Sequence, residues 1–484
     1  MNERLPANFA DIRHAMARFS PAPKVEPEDI VLPAQVFMPE SHRSVLDLER
    51  QLVVGNRGMG KSFWTRALVN KDVCRKIAVT DGLPKLARTE VVVGFNGSEK
   101  LSVVAPTPDA IRRAMEGGST ADEIWRSVMF RAVRKVLGQP ENEHLDSTLA
   151  ILKAAPSLFE ETLSVADNSL ASTGKTILIL FDALDRLAAD WTQIRVLTVS
   201  LLRRALGLKS FQSFRTKIFI RPDQFSDPNL FRFPDASKLK NEHVDLSWHP
   251  KALFDLLFFE IRRDEKAGRA LDAVASEINA HGALISRTHF QLGPQDDQRL
   301  LINALAGSYM GTNARRGRVY TWVPLHLSDA HGACSPRTFL TAWQKGAEQG
   351  QAPTDRAVDH LGLIEGVRRA SSARLEELRE DYFWIDAALG ALKGYFVPIE
   401  KHDLLELWFK SKVVQNILHD AAENKRLMPV ELDAAVEKDL ALLEAMKSIA
   451  VIEERANGKI NVPDIFRVEA GIKRKGGVAV PRRS

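Results

Sequence analysis

The stretch Leu52-Val53-Val54-Gly55-Asn56-Arg57-Gly58-Met59-Gly60-Lys61-Ser62-Phe63-Trp64-Thr65-Arg66-Ala67-Leu68 decides the fold. Its first three residues make a short apolar strand and its last six open a helix. Between them, Gly55 to Ser62 match G-x-x-x-x-G-K-[ST] in the strand–loop–helix setting that this pattern requires. Glycines permit the tight turn that aims successive backbone N–H groups into one concavity. The helix beginning at Lys61 adds the positive end of its dipole. Gly55, Asn56, Arg57, Gly58, Met59, Gly60, Lys61 and Ser62 are therefore expected to cradle the phosphates of a nucleotide. Lys61 would reach the β- and γ-phosphates and the Ser62 hydroxyl would hold Mg²⁺. The alternative, a glycine-rich turn with an incidental Lys-Ser pair, does not account for the flanking strand and helix.

A second element would complete such a site. Thr176-Ile177-Leu178-Ile179-Leu180-Phe181-Asp182 is an apolar run that ends in a carboxylate. A run of this kind suits a parallel strand covered on both faces. Asp182 then sits at the carboxyl end of its strand, where ligands bind in open α/β sheets. It is the candidate for holding the metal; the alternative is a cap on the following helix. Asp185 either orients the attacking water or pairs with Arg186. A guanine-specific Asn-Lys-x-Asp string is not matched, because Asn70-Lys71-Asp72-Val73 has its acid one place early, so ATP is favoured over GTP.

Strands and helices alternate around these two motifs. Glu90–Phe95 reads as a second strand, Thr216–Ile220 as a fourth and Val244–Leu246 as a short fifth, with helices at Ile124–Leu137 and Ile194–Leu206. Asn142–Thr148 and Asp167–Lys175 read as polar connectors. The fold class is α/β: a doubly wound parallel P-loop sheet, expected to be followed by a helical lid and a C-terminal winged-helix-like domain, so named because its helices and hairpin resemble a winged helix. An extra strand–helix pair separates Lys61 from Asp182, which predicts a strand lying between the two phosphate-site strands. The expected divisions are an N-terminal arm at 1–42, a P-loop ATPase domain at 43–249, a helical lid at 250–371 and the winged-helix-like part at 372–484. The arm carries a short helix around Phe9–Phe19 and then a proline-rich extended stretch with Pro21, Pro23, Pro27, Pro33 and Pro39.

Composition sets the outer limits. A chain of 484 residues exceeds the ~250–300 that one compact domain holds. With 45% hydrophobic and 27% charged residues it is neither collagen-like nor largely disordered. Cys74 and Cys334 form no CxxC pair, which suggests a reducing, cytoplasmic setting. No apolar run is long enough for a membrane span, and Met1-Asn2-Glu3-Arg4 is not followed by a signal-like stretch. A net charge of +5 permits nucleic-acid contact without requiring it.

The complete phosphate-loop match, together with Asp182-Ala183-Leu184-Asp185-Arg186, resembles the AAA+/STAND group of P-loop ATPases. The second string is similar to that of KAP- and NACHT-type members, which share an acid three places after the first. The resemblance implies ATP and Mg²⁺ as cofactors, ATP hydrolysis and a homo-oligomer. Many relatives place an acid where this chain has Ala183, so turnover is expected to be slow. The resemblance further implies catalytic roles for Lys61, Asp182 and Asp185. Arg221, after the fourth strand, takes the sensor-1 position, or else pairs with Asp223. Arg337, in Ser335-Pro336-Arg337-Thr338, takes the sensor-2 position at the start of a lid helix, and Arg232 lies where an arginine finger is often kept.

Toward the C-terminus, helices are expected at Ser372–Leu392, His402–His419 and Val430–Ser448. A hairpin with an Asn457-Gly458 turn follows. The last helix carries Glu431, Asp433, Glu437, Asp439 and Glu444, a poor match for DNA, whose phosphates supply most binding affinity. A protein partner is thus the first reading of this part. The tail with Lys473, Arg474, Lys475, Arg482 and Arg483 keeps DNA open. The sequence supports an ATP-dependent switch or motor acting on a protein partner. Its alternatives are an ATP-gated DNA-binding loader or regulator, and an ATPase subunit of a multiprotein defence or plasmid-maintenance system.

Overall fold

The computed structural model describes residues 6–21, 31–139, 144–284, 294–349, 352–424, 426–432 and 435–475. Pro23, Pro27, Asn142, Asp433, Arg482 and Arg483 fall outside them. The chain divides into two units. One spans Lys24–Ser247; the other combines the N-terminal helix with the described residues from Trp248 onward.

The first unit is built on a five-stranded parallel sheet in the order β2-β3-β4-β1-β5. The strands are β1 (Leu52–Val54), β2 (Thr89–Phe95), β3 (Thr176–Phe181), β4 (Phe214–Ile220) and β5 (Val244–Asp245). All pairings are parallel, with Val53 beside Phe219 and Leu180 beside Lys217. The strand between the two phosphate-site strands is therefore β4. Ile177 through Phe181 are buried without alternation, as strands covered on both faces require.

The helix Ala121–Val136 starts at a reciprocal cap. The Thr120 hydroxyl accepts from the Glu123 amide and the Glu123 carboxylate accepts from the Thr120 amide. Its Trp125 is fully buried, stands edge-on to Phe95 and Phe181, and donates its indole N–H to the Leu197 carbonyl at 2.7 Å. That bond ties it to the helix Trp191–Leu208. The expected polar connectors are instead helical, at Leu145–Ala154 and Leu158–Ser172. Leu145, Leu149, Leu152, Leu163, Ala166 and Leu170 recur at helical spacing and are buried, and this outweighs the polar residues between them.

The second unit is helical, with helices at Pro250–Arg262, Glu265–Glu277, Gln295–Ala306, Val319–Leu327, Pro336–Glu348 and His360–Asp381. The N-terminal helix, Pro6–Ala17, packs against Glu265–Glu277 and Pro336–Glu348. Its Arg13 donates to the Gln349 and Ala357 carbonyls at 2.5 and 3.2 Å. This helix of the expected arm thus belongs to the helical unit. Phe254, Phe339 and Trp343 form an aromatic core beneath it.

The helix His360–Asp381 runs without a break through position 371. Beyond it, the expected His402–His419 helix is two helices, Lys401–Lys410 and Val413–Asn424. They are joined at Ser411-Lys412, where Lys412 takes the left-handed backbone (φ 53°). The expected Val430–Ser448 helix shortens to Lys438–Ser448 after a 3₁₀ turn. A hairpin of β7 (Glu453–Glu454) and β8 (Ile460–Asn461) follows, after β6 (Phe396–Val397) and before β9 (Lys473–Arg474), which pairs with β6. Ile399 bridges Ile460, so hairpin and helices enclose one core containing Trp384, Trp408 and Phe466. This is the winged-helix-like part.

The helices Pro336–Glu348 and His360–Asp381 cross at glycines. A Cβ on Gly366 would lie 2.1 Å from the Ala342 carbonyl oxygen, and one on Gly362 would lie 2.7 Å from that of Gly346. A backbone oxygen cannot swing away as a side-chain tip can. Gly366→Val should therefore destabilise the helical unit by at least about 1–3 kcal/mol, the usual cost of overpacking. Thermal unfolding followed by circular dichroism reads this; an unchanged transition would show that the crossing is loose.

Candidate functional site

Parallel pairing puts the carboxyl ends of β1, β3 and β4 at one edge, and the chain leaves each of them carrying a polar group. After β1 comes the phosphate loop. Gly58 (φ 83°) and Gly60 (φ 111°) hold left-handed backbone that residues with a Cβ adopt only under strain. Gly55 is needed for another reason: a Cβ there would stand 3.0 Å from Cβ of Leu246, just after β5. The helix Lys61–Val69 starts directly from Gly60.

Within this loop, Nζ of Lys61 donates to the Gly55 and Asn56 carbonyls at 2.5 and 3.2 Å. The Ser62 hydroxyl donates to Oδ2 of Asp182 at 2.8 Å. That contact spans β4 and joins residues 120 apart in sequence. Asp182 is buried, and its Oδ1 accepts from the Ala183 amide at 2.9 Å. Ala183 is itself left-handed (φ 57°), which turns the chain sharply after β3. Burial pushes the Asp182 carboxyl above the usual carboxylate range, against the pull of Lys61 and the Ser62 hydrogen bond. Burial likewise lowers the Lys61 ammonium from its ordinary value, opposed chiefly by Asp182. Each charge stabilises the other in a place that would tolerate neither alone.

Arg221 follows β4 and so emerges between the two motifs. Its guanidinium pairs with Asp223 at 3.0 and 3.2 Å and reaches Asp185 at 3.4 Å. Asp185, on the short turn Leu184–Arg186, thus meets Arg221 rather than its sequence neighbour Arg186. Five charged groups, Lys61, Arg221, Asp182, Asp185 and Asp223, converge at the same edge of the sheet. The donor set fits a metal-bound triphosphate: backbone amides and an ammonium for phosphate, a hydroxyl and a carboxylate for a hard divalent cation. Among the described residues no cluster of three or more His, Cys, Asp or Glu could hold a metal by itself. Ser62 and Asp182 would therefore leave the rest of a coordination sphere to phosphate oxygens and water.

Arg337 belongs to the helical unit, where it pairs with Glu377 at 3.0 Å. Arg232 is exposed, at the end of the short turn Pro228–Phe231. Sequence reasoning missed His42. It is buried, and its Nδ1 accepts the indole N–H of Trp64 at 3.0 Å, fastening the phosphate-loop helix to the segment ahead of β1. The adjacent Ser41 hydroxyl donates to the Ser247 carbonyl at 2.7 Å. Ser41-His42-Arg43 carries no motif, so only the fold reveals this role.

No family model and no curated protein matches the chain. Among solved structures it is similar to the ORC2 protein of Aeropyrum pernix in ADPNP–ADP complexes. That similarity has 11% identity and a TM-score of 0.37, over 87% of this chain and 85% of that one. It is also similar to Cdc6p from Pyrobaculum aerophilum, at 13% identity and a TM-score of 0.30, over 93% and 94%. No helix among the described residues is long and apolar enough to cross a membrane.

His42 makes a pH prediction. Burial lowers its pKa from 6.5 to about 3, so the folded chain excludes a proton that the unfolded chain accepts below pH 6.5. Stability should fall as the pH drops from about 6.5 toward 3, at roughly 1.4 kcal/mol per pH unit from this group. In His42→Gln, which keeps an acceptor for Trp64, the melting temperature should drop less steeply between pH 7 and 5. Equal slopes for variant and parent would refute the assignment.

Proposed function

We propose that the chain is an AAA+-type P-loop ATPase that binds Mg²⁺–ATP at residues 55–62 and works as a nucleotide-dependent switch or motor. The observation that carries this reading is the 2.8 Å contact of Ser62 with Asp182 across β4, beside Lys61. Both residues offer oxygens for Mg²⁺, which when bound would neutralise charge between the phosphates. Lys61 would exchange its two loop carbonyls for phosphate oxygens, a charge-assisted contact stronger than the neutral ones it leaves. Arg221 is held between two carboxylates and placed to turn toward added negative charge at the edge of the sheet. Asp185 is the acid left to orient water, because position 183 is an alanine. Its tether to Arg221 supports slow turnover, since the base is occupied until the arginine moves. Arg337 is retained as the expected sensor-2 group and Arg232 as the expected finger in a homo-oligomer. The winged-helix-like part passes the nucleotide state to a protein partner.

A second reading, nucleotide-gated contact with duplex DNA, gains from one observation. The break at Ser411-Lys412 leaves a tight helix–turn–helix whose second helix exposes Gln415, Asn416 and His419 in its first two turns, in place of acids.

Equilibrium binding of a fluorescent ATP analogue, with phosphate release measured in parallel, tests the first reading. Lys61→Ala should weaken binding on the order of 100-fold, by loss of a hydrogen bond to a charged group. Asp182→Asn should retain nucleotide yet lose most hydrolysis, by roughly 10²-fold or more as for removal of a preorganised charge. Arg221→Gln should slow turnover with little change in affinity. Unchanged affinity in Lys61→Ala would end the reading.

A further inference from the structure

Among the described residues, only three Phe, Trp or Tyr side chains are exposed: Tyr395, Phe396 and Phe409, at 49%, 48% and 70% exposure. All three lie in the winged-helix-like part, within fifteen residues of sequence. Leaving such rings partly in water forgoes a share of the burial worth about 1.5–3 kcal/mol each, so their clustering in one stretch of sequence calls for a reason.

Their surroundings are cationic. Nζ of Lys473 lies 5.4 Å from the centre of the Phe396 ring, and its backbone amide donates to the Tyr395 carbonyl at 2.8 Å. The Lys475 amide donates to the Val397 carbonyl at 2.9 Å, so Lys473 of β9 and Lys475 just after it both lie along β6. Lys393 precedes the pair, with its side chain against Gly471. Lys393, Lys473 and Lys475 are exposed, and no carboxylate among the described residues pairs with them. Lys410, next to Phe409 in sequence, is within electrostatic reach of the Tyr395 hydroxyl, although Glu406 neutralises it.

Among the described residues from 372 onward, the exposed large apolar side chains other than these rings reduce to Val436, so the aliphatic anchors that a lipid surface would require are few there. Flat rings interleaved with unpaired ammonium groups match a ligand that offers flat faces and evenly spaced anions. Single-stranded nucleic acid has that chemistry: bases stack on aromatic rings while the backbone follows positive charge.

We propose that Tyr395, Phe396 and Phe409, with Lys393, Lys473 and Lys475, form a binding surface for single-stranded nucleic acid. The surface does not draw on the helix Val413–Asn424 that would read a duplex, and it stands or falls independently of the ATP site. Because stacking selects no particular base, binding should be tolerant of sequence and should weaken as salt rises.

Fluorescence anisotropy of the full chain with labelled oligothymidylate across a salt series provides the test. Phe396→Ala and Tyr395→Ala should each weaken binding about 5- to 100-fold, the range that loss of one stacked base produces. Tyr395→Phe should bind as the parent does, and Lys473→Gln should flatten the salt slope. Phe409→Ala, at the most exposed ring, keeps the test open if substitution in β6 disturbs folding, and circular dichroism melting checks each variant. Parental affinity in the correctly folded alanine variants would overturn the proposal. So would equal binding of a matching duplex with equal losses, or capture by phosphatidylserine vesicles with none by the oligonucleotide.

Discussion

The hydrogen bond from Ser62 to Asp182 is the constraint on which the candidate site depends. A serine at the start of one helix and a carboxylate at the end of a strand two positions away in the sheet can meet only if both leave the sheet at the same edge. Parallel pairing of β1, β4 and β3 ensures this, because every carboxyl end then faces one way. An antiparallel β4 would have left those two ends in place but removed Arg221 from between them. The buried apolar strands fix where each charged residue leaves the sheet.

Those charges are balanced locally. Lys61 and Asp182 are each pushed toward neutrality by burial and drawn back by the other. Arg221 is shared by Asp185 and Asp223. Ligand phosphates would compete with carbonyls for Lys61 and with carboxylates for Arg221, and a cation would compete for Asp182. A site whose side chains already hold internal partners exchanges contacts on binding instead of collapsing when empty. His42 contributes from behind: its neutral imidazole anchors Trp64, and through it the helix whose first residues carry Lys61 and Ser62.

The helical unit obeys a different rule, close approach of backbones. Gly346, Gly362 and Gly366 leave no room for a Cβ at the crossing of its two longest-contacting helices. Its winged-helix-like end departs from ordinary burial in the opposite sense, by leaving three aromatic rings exposed, two of them beside unpaired lysines.

The phosphate loop, the Asp182 strand and the intervening strand are legible in the sequence because they rest on local rules. Glycine spacing, an unbroken apolar run and a fixed strand–loop–helix order need no distant partner. The terminal hairpin is legible for the same reason. The helices Leu145–Ala154 and Leu158–Ser172 are not, since their polar residues suggest connectors until packing against the sheet's helices reveals which face is buried. The break at Lys412 depends on a single residue adopting φ 53°, which no lysine advertises. Asp223 beside Arg221 is legible as a near neighbour, but Asp185, Glu377 and Trp64, which meet Arg221, Arg337 and His42, lie 36, 40 and 22 residues from them, and chain separation says nothing about contact. What the sequence by itself determined is therefore the chemistry on offer: a phosphate nest, an ammonium, a hydroxyl and a carboxylate. Only the tertiary structure decided which of these groups meet and which arginine stands among them, because strand order and direction, rather than residue identity, set distances across a sheet.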